Sequence, residues 1–116
     1  MKDKIINFET AKLANNKGFT IHCIECYMFD GTPTLDIDGR LKENNKIYAP
    51  TQTLLQKWLR EKHKIVIYIQ PKMHLYYEWH IITTDNHIIS SERSYDWEEL
   101  LESALYESLK LIDDNL

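Results

Sequence analysis

Apolar positions along the chain change period several times, and each change marks an element. From Trp97 onward, Trp97, Leu100, Leu101, Ala104, Leu105, Leu109 and Ile112 recur at helical spacing. That is the pattern of a helix burying one stripe. Asp96, with Glu99 three residues on, gives it a capping-box-like start. A second stripe, Leu54, Leu55, Trp58 and Leu59, opens at Pro50-Thr51 and runs to about Lys62, with Gln56, Lys57, Arg60 and Glu61 on the other side. A first helix is expected from about Phe8 to Lys17, capped by the Asn7 side chain and ended by Gly18.

Elsewhere the period falls to two. Ile21 to Phe29 reads as a strand, Asp30-Gly31 as a turn, and Thr34 to Ile37 as a returning strand that Pro33 keeps at an edge. Asp38 to Lys46 is polar and loop-like. Lys64 to Gln70 is a strand rich in β-branched residues and stopped by Pro71. Met73 to Thr83 is a second strand, Thr84-Asp85-Asn86 a turn, and His87 to Ser91 a third strand. The order α-β-β-α-β-β-β-α predicts an α+β fold. The expected architecture is a two-layer sandwich, a mainly antiparallel sheet with helices on one face. No repeat or linker divides residues 1–116, so one domain is expected.

Composition keeps that picture. Apolar residues make up 43% and charged residues 28% of 116, a globular balance. No apolar run approaches the roughly 20 residues that span a bilayer. The opening Met1-Lys2-Asp3-Lys4 has charge but no hydrophobic segment behind it, unlike a signal peptide. The expected location is therefore the cytoplasm of the host cell, with no membrane partner. The net charge of −4 disfavours non-specific nucleic-acid binding, which rests on phosphate neutralisation.

Two stretches carry a resemblance. Ala49-Pro50-Thr51-Gln52-Thr53-Leu54-Leu55-Gln56-Lys57-Trp58-Leu59-Arg60-Glu61 is the stronger. Trp97-Glu98-Glu99-Leu100-Leu101-Glu102-Ser103-Ala104-Leu105 is the weaker. With Glu9-Thr10-Ala11-Lys12-Leu13-Ala14 and Lys17-Gly18-Phe19, they resemble small uncharacterised proteins of phages and prophages of gut bacteria. The resemblance implies a phage or mobile-element origin. It implies no activity and carries no site residue.

Candidate chemistry is sparse. Cys23-Ile24-Glu25-Cys26 has C-x-x-C spacing, but a structural zinc needs four ligands and no second pair exists. Placed on a strand, two residues three apart point to opposite faces, so the two are expected to be reduced, small strand residues. In 74–80, His74, Tyr76, Glu78 and His80 share one strand face, and Met73, Leu75, Tyr77, Trp79 and Ile81 the other. The second set reads as core. The first reads as a solvated face, with His74, Glu78 and His80 as the only metal-ligand candidates. Trp58, Trp79 and Trp97 all fall on apolar faces and are expected to be core anchors. The three glycines do not cluster, so no phosphate-cradling loop forms, and no G-x-S-x-G or H-E-x-x-H motif occurs. No cofactor is expected.

Residues 57–72 carry a local excess of four positive charges through Lys57, Arg60, Lys62, Lys64 and Lys72, while the chain from Glu92 carries an excess of six negative ones. Both placements complement helix dipoles. The leading expectation is a non-enzymatic accessory protein that contacts a protein partner, or itself as a homo-oligomer, through an open sheet face bearing Val66, Tyr68, His74, Tyr76 and His80. The alternative is nucleic-acid binding by sheet tyrosines and the basic 57–72 segment. A metal-dependent enzyme using His74, Glu78 and His80 comes third.

Overall fold

Local capping chemistry sets the helices. In a computed structural model describing residues 4–37, 46–72, 76–83, 88–94 and 96–112, α1 spans Phe8–Asn16, and the Asn7 side chain accepts the Thr10 N–H. Gly18, at φ +101°, ends it, a left-handed conformation that costs glycine little. Helix α2 spans Gln52–His63, with Thr51 accepting the Leu54 N–H. It closes on Lys64 in the left-handed conformation (φ 57°, ψ 36°), while the Ile65 N–H reaches back to the Leu59 carbonyl. Helix α3 spans Trp97–Lys110, and Asp96 accepts from the N–H groups of Glu98 and Glu99.

The fold is α+β, with the strands sorted into two three-stranded antiparallel sheets. The first holds β1 (Glu25–Tyr27) between β2 (Pro33–Leu35) and β3 (Ile47–Tyr48). The second holds β4 (Val66–Lys72), β5 (Tyr76–Ile82) and β6 (Ile88–Ser94) in that order. Here the structure departs from the expected single sheet. The long strand predicted over Ile21 to Phe29 contracts to Glu25–Tyr27, because the chain bends at Ile24. Lys46 leads directly into β3, a strand not anticipated at the end of the polar stretch. The turn at Asp30-Gly31 holds: Met28 accepts the Gly31 N–H and Asp30 the Thr32 N–H.

Strand β4 runs through Pro71 instead of stopping before it. It is an edge strand, and at an edge a missing N–H need not break the ladder. The predicted strand starts at Met73 and His87, the turn at 84–86 and most of the 38–46 loop lie outside the described residues.

Helix α3 organises the core. It packs against β4, β5 and β6 and also against α1 and α2. Leu100, Leu101, Ala104, Leu105 and Leu109 of its stripe are buried, as is Ile112 just past its end. Each of these leucine and isoleucine side chains contributes about 1.5–3 kcal/mol by leaving water. Trp97 is the exception: at 42% exposed it lies outside the core, one turn before the buried part of the stripe begins at Leu100. Trp58 and Trp79 are buried as expected. Among the described residues, no helix is long and apolar enough to cross a membrane.

Candidate functional site

Register places two sets of side chains on opposite faces of the second sheet. Strand β4 pairs Ile67 with Ile81 and Ile69 with Trp79, while Val66 pairs with Ile82, Tyr68 with His80, and Gln70 with Glu78. Residues directly opposite in an antiparallel pair point the same way, so the first two pairs form one face and the last three the other. Ile67, Trp79 and Ile81 are buried in the cluster that includes α3. Across the sheet, Val66 is 38% and Tyr68 42% exposed. The alternation expected along β5 is present from Glu78 to Ile82, where Trp79 and Ile81 are buried between half-buried neighbours, while Tyr76 and Tyr77 are both half-buried. His74 lies outside the described residues.

Tyr68 and His80 make the centre of the outer face. Their rings stack nearly parallel, with centroids 4.9 Å apart and an interplanar angle of 15°. His80 Nε2 lies 3.9 Å from Glu78 Oε2 and has no hydrogen-bond partner among the described residues. The ladder slips between Glu78 and Trp79, because Glu78 lies opposite Arg93 and Trp79 opposite Ser91. Such a bulge increases local twist. Of the metal candidates, the structure brings Glu78 and His80 together. Among the described residues, no three His, Cys, Asp or Glu side chains converge on a common point.

The basic residues gather elsewhere. Lys57, Arg60 and Lys62 are exposed on α2 and Lys64 at its C-cap, and the Lys64 ammonium donates to the Glu61 carbonyl. Arg60, Lys62 and His63 occupy the last turn of α2, where positive charge offsets the dipole. The His63 ring packs edge-on to Trp58 at 4.7 Å, and burial, then the nearby Lys62 charge, push its pKa below the usual range. The Lys72 side chain lies outside the description.

The cysteines depart from expectation. Cys23 precedes β1 instead of lying on it, and the bend at Ile24 lets both thiols enter the interior. The Cys26 thiol donates to the Cys23 carbonyl at 3.3 Å. Burial, with Cys26 and Glu25 adding to it, pushes the Cys23 thiol up to about 11. Burial and the Asp36 carboxylate raise Cys26 as well. Such thiols are poor nucleophiles, because the thiolate is the reactive form.

Two polar clusters had no signature in the chain. Asp36 and Lys46 are both buried and ion-paired at 2.6 Å, with His22 Nε2 3.7 Å from the same carboxylate and the ammonium 5.0 Å from the Tyr48 ring centre. The hydrogen bond to Asp36 raises the Lys46 pKa. The pair ties together the two ends of residues 37–45. In the second cluster, buried Gln52 donates to the Glu98 carbonyl and to Glu102 Oε1, and Glu102 Oε2 accepts the Asn7 N–H. One carboxylate thus joins the starts of α1 and α2 to α3.

No protein-family model, curated protein or solved structure matches the chain.

Proposed function

We propose that this chain is a non-enzymatic accessory protein, of phage or mobile-element origin, that contacts a protein partner through the outer face of β4–β5–β6. The observation that carries the reading is the contrast between the faces. Ile67, Trp79 and Ile81 are sealed beside α3, while Val66 and Tyr68 keep an apolar and an aromatic surface in water. Aromatic side chains are enriched where proteins meet.

Size sets the kind of contact. Seven residues at about 3.3 Å each, across three strands about 4.8 Å apart, give a face of roughly 300 Å². A standard complex covers about 800 Å² per partner. The face alone suits a transient contact, and a lasting one must extend beyond it.

The test is affinity capture with the wild-type chain and with a Tyr68→Ala/Tyr76→Ala double variant, both held well below their melting temperatures so that each is folded. A protein retained by the first and lost by the second supports the reading. Equal capture, or none, counts against it. Salt-dependent binding of a single-stranded oligonucleotide, abolished by Tyr68→Ala, would replace the protein partner with nucleic acid.

A further inference from the structure

Antiparallel strands alternate between residue pairs that exchange backbone hydrogen bonds and pairs that do not. In the β1–β2 hairpin, the Asp36 N–H donates to the Ile24 carbonyl and the Met28 N–H to the Thr32 carbonyl. That alternation makes Cys26–Thr34 the bonded pair within the register. Pro33 and Leu35 therefore turn their backbone groups away from β1. Since β2 is the outer strand, those groups face the free edge. Pro33 offers a carbonyl only, and Leu35 offers both a donor and an acceptor.

The side chains along this edge are apolar and uncovered, with Leu35 59% and Ile37 69% exposed. Leu35 also borders a shallow apolar groove of about 320 Å³ shared with Ile5, Tyr27, Pro33 and Ala49. The opposite edge of the same sheet is closed. The Asn15 side-chain amide donates to the Tyr48 carbonyl and accepts the Tyr48 N–H, as a strand would. Edge strand β4 is protected differently. It contains Pro71 and ends on Lys72, and proline and lysine are both residues that blunt a sheet edge. Strand β2 has no such charges. The neighbouring acid, Asp36, is neutralised by Lys46.

We propose that β2 is a self-association edge, on which two copies of this chain pair antiparallel about a two-fold axis at Leu35. The two three-stranded sheets then become one of six strands. Each Leu35 N–H donates to the Leu35 carbonyl of the second copy. Pro33 falls opposite Ile37 of the second copy, so the missing proline donor lies at the outer end of the pairing. Leu35 and Ile37 of both copies join into one apolar stripe, and no like charges meet. Five residues of edge, about 17 Å long, bury well under the roughly 1,200 Å² of a stable complex. The dimer is weak, forming on the order of hundreds of micromolar.

Sedimentation equilibrium of the full chain from roughly 10 µM to roughly 1 mM brackets that range. The wild type should pass from monomer to dimer. Leu35→Lys places two ammonium-bearing residues across a bonded pair, about 5.5 Å between Cα atoms, and should weaken the dimer about fivefold. Ile37→Lys tests the same edge independently, and Tyr68→Lys, on the second sheet, should change nothing. The proposal is overturned by a wild type that stays monomeric throughout, or by a dimer that survives both edge substitutions. It is overturned equally by a dimer lost with Tyr68→Lys alone, which would move association to the β4–β5–β6 face.

Discussion

Replacing Trp79 tests how the second sheet is sealed. Its indole is 2% exposed, lies across from Ile69 and belongs to the same buried cluster as Leu101, Ala104 and Leu105. Truncating a buried tryptophan to alanine costs about 3–5 kcal/mol, through lost transfer energy plus the cavity left behind. Domains of this class hold about 5–15 kcal/mol in total, so Trp79→Ala should remove at least about a fifth of it and lower the melting temperature by roughly 15 °C. Tyr68, on the other face, loses a half-exposed ring and its stack on His80, about 1 kcal/mol. Trp79→Phe separates packing from polarity. The indole N–H has no hydrogen-bond partner among the described residues, and burying such a donor costs about 1–3 kcal/mol. Its removal offsets much of the lost ring volume, so Trp79→Phe should cost far less than Trp79→Ala. Urea titrations followed by circular dichroism measure all three. A Tyr68→Ala loss equal to or larger than that of Trp79→Ala would refute the assignment of faces.

Further outcomes follow from the backbone and the titrating groups. Lys64→Gly should stabilise the protein by up to about 1 kcal/mol, because glycine removes the Cβ clash of the left-handed C-cap at some entropic cost; a lower melting temperature would contradict the cap geometry. Cys23 stays protonated in the folded chain until about pH 11, while the unfolded thiol ionises near 9. The unfolded state therefore binds fewer protons between those values and stability falls as pH rises through them. Cys23→Ala should flatten that fall relative to wild type in melting curves. His63 behaves oppositely. Its lowered pKa keeps it neutral in the fold while the unfolded chain protonates, so stability drops as pH falls below about 6.5, and His63→Gln should reduce that drop.

How much of this was legible depended on whether a residue's fate was decided locally. The three helices follow from caps and periodicity: Asn7, Thr51 and Asp96 each accept the N–H groups expected of them. The faces of β5 followed from simple alternation. What sequence did not show was decided at a distance. Strand β3 is two residues long and exists because β1 pairs with it on one side and Asn15 on the other, a side chain more than thirty positions away. On a continuous strand from Ile21 to Phe29 the two cysteines would face opposite ways, and a single bend at Ile24 sends both inward. Pro71 reads as a stop in the sequence because its position at the sheet edge is a property of topology. Trp97 satisfied the helical stripe yet lies one turn outside its buried part. The outer face of β4–β5 was legible as a face. The Tyr68–His80 stack at its centre required the strand register.

The account rests on the sheet having one sealed side and one that meets water at β4 and is half-buried at β5, and hydroxyl-radical footprinting read by mass spectrometry measures that directly. Tryptophan reacts intrinsically as fast as tyrosine, so protection reports burial. Trp79, Ile67 and Ile81 should be labelled much more slowly in the folded chain than in urea, while Tyr68 and Val66 keep a substantial share, on the scale of their fractional exposure, of their unfolded reactivity. Trp79 labelled as readily as Tyr68 in the folded protein would contradict the two-faced sheet and the contact surface built on it.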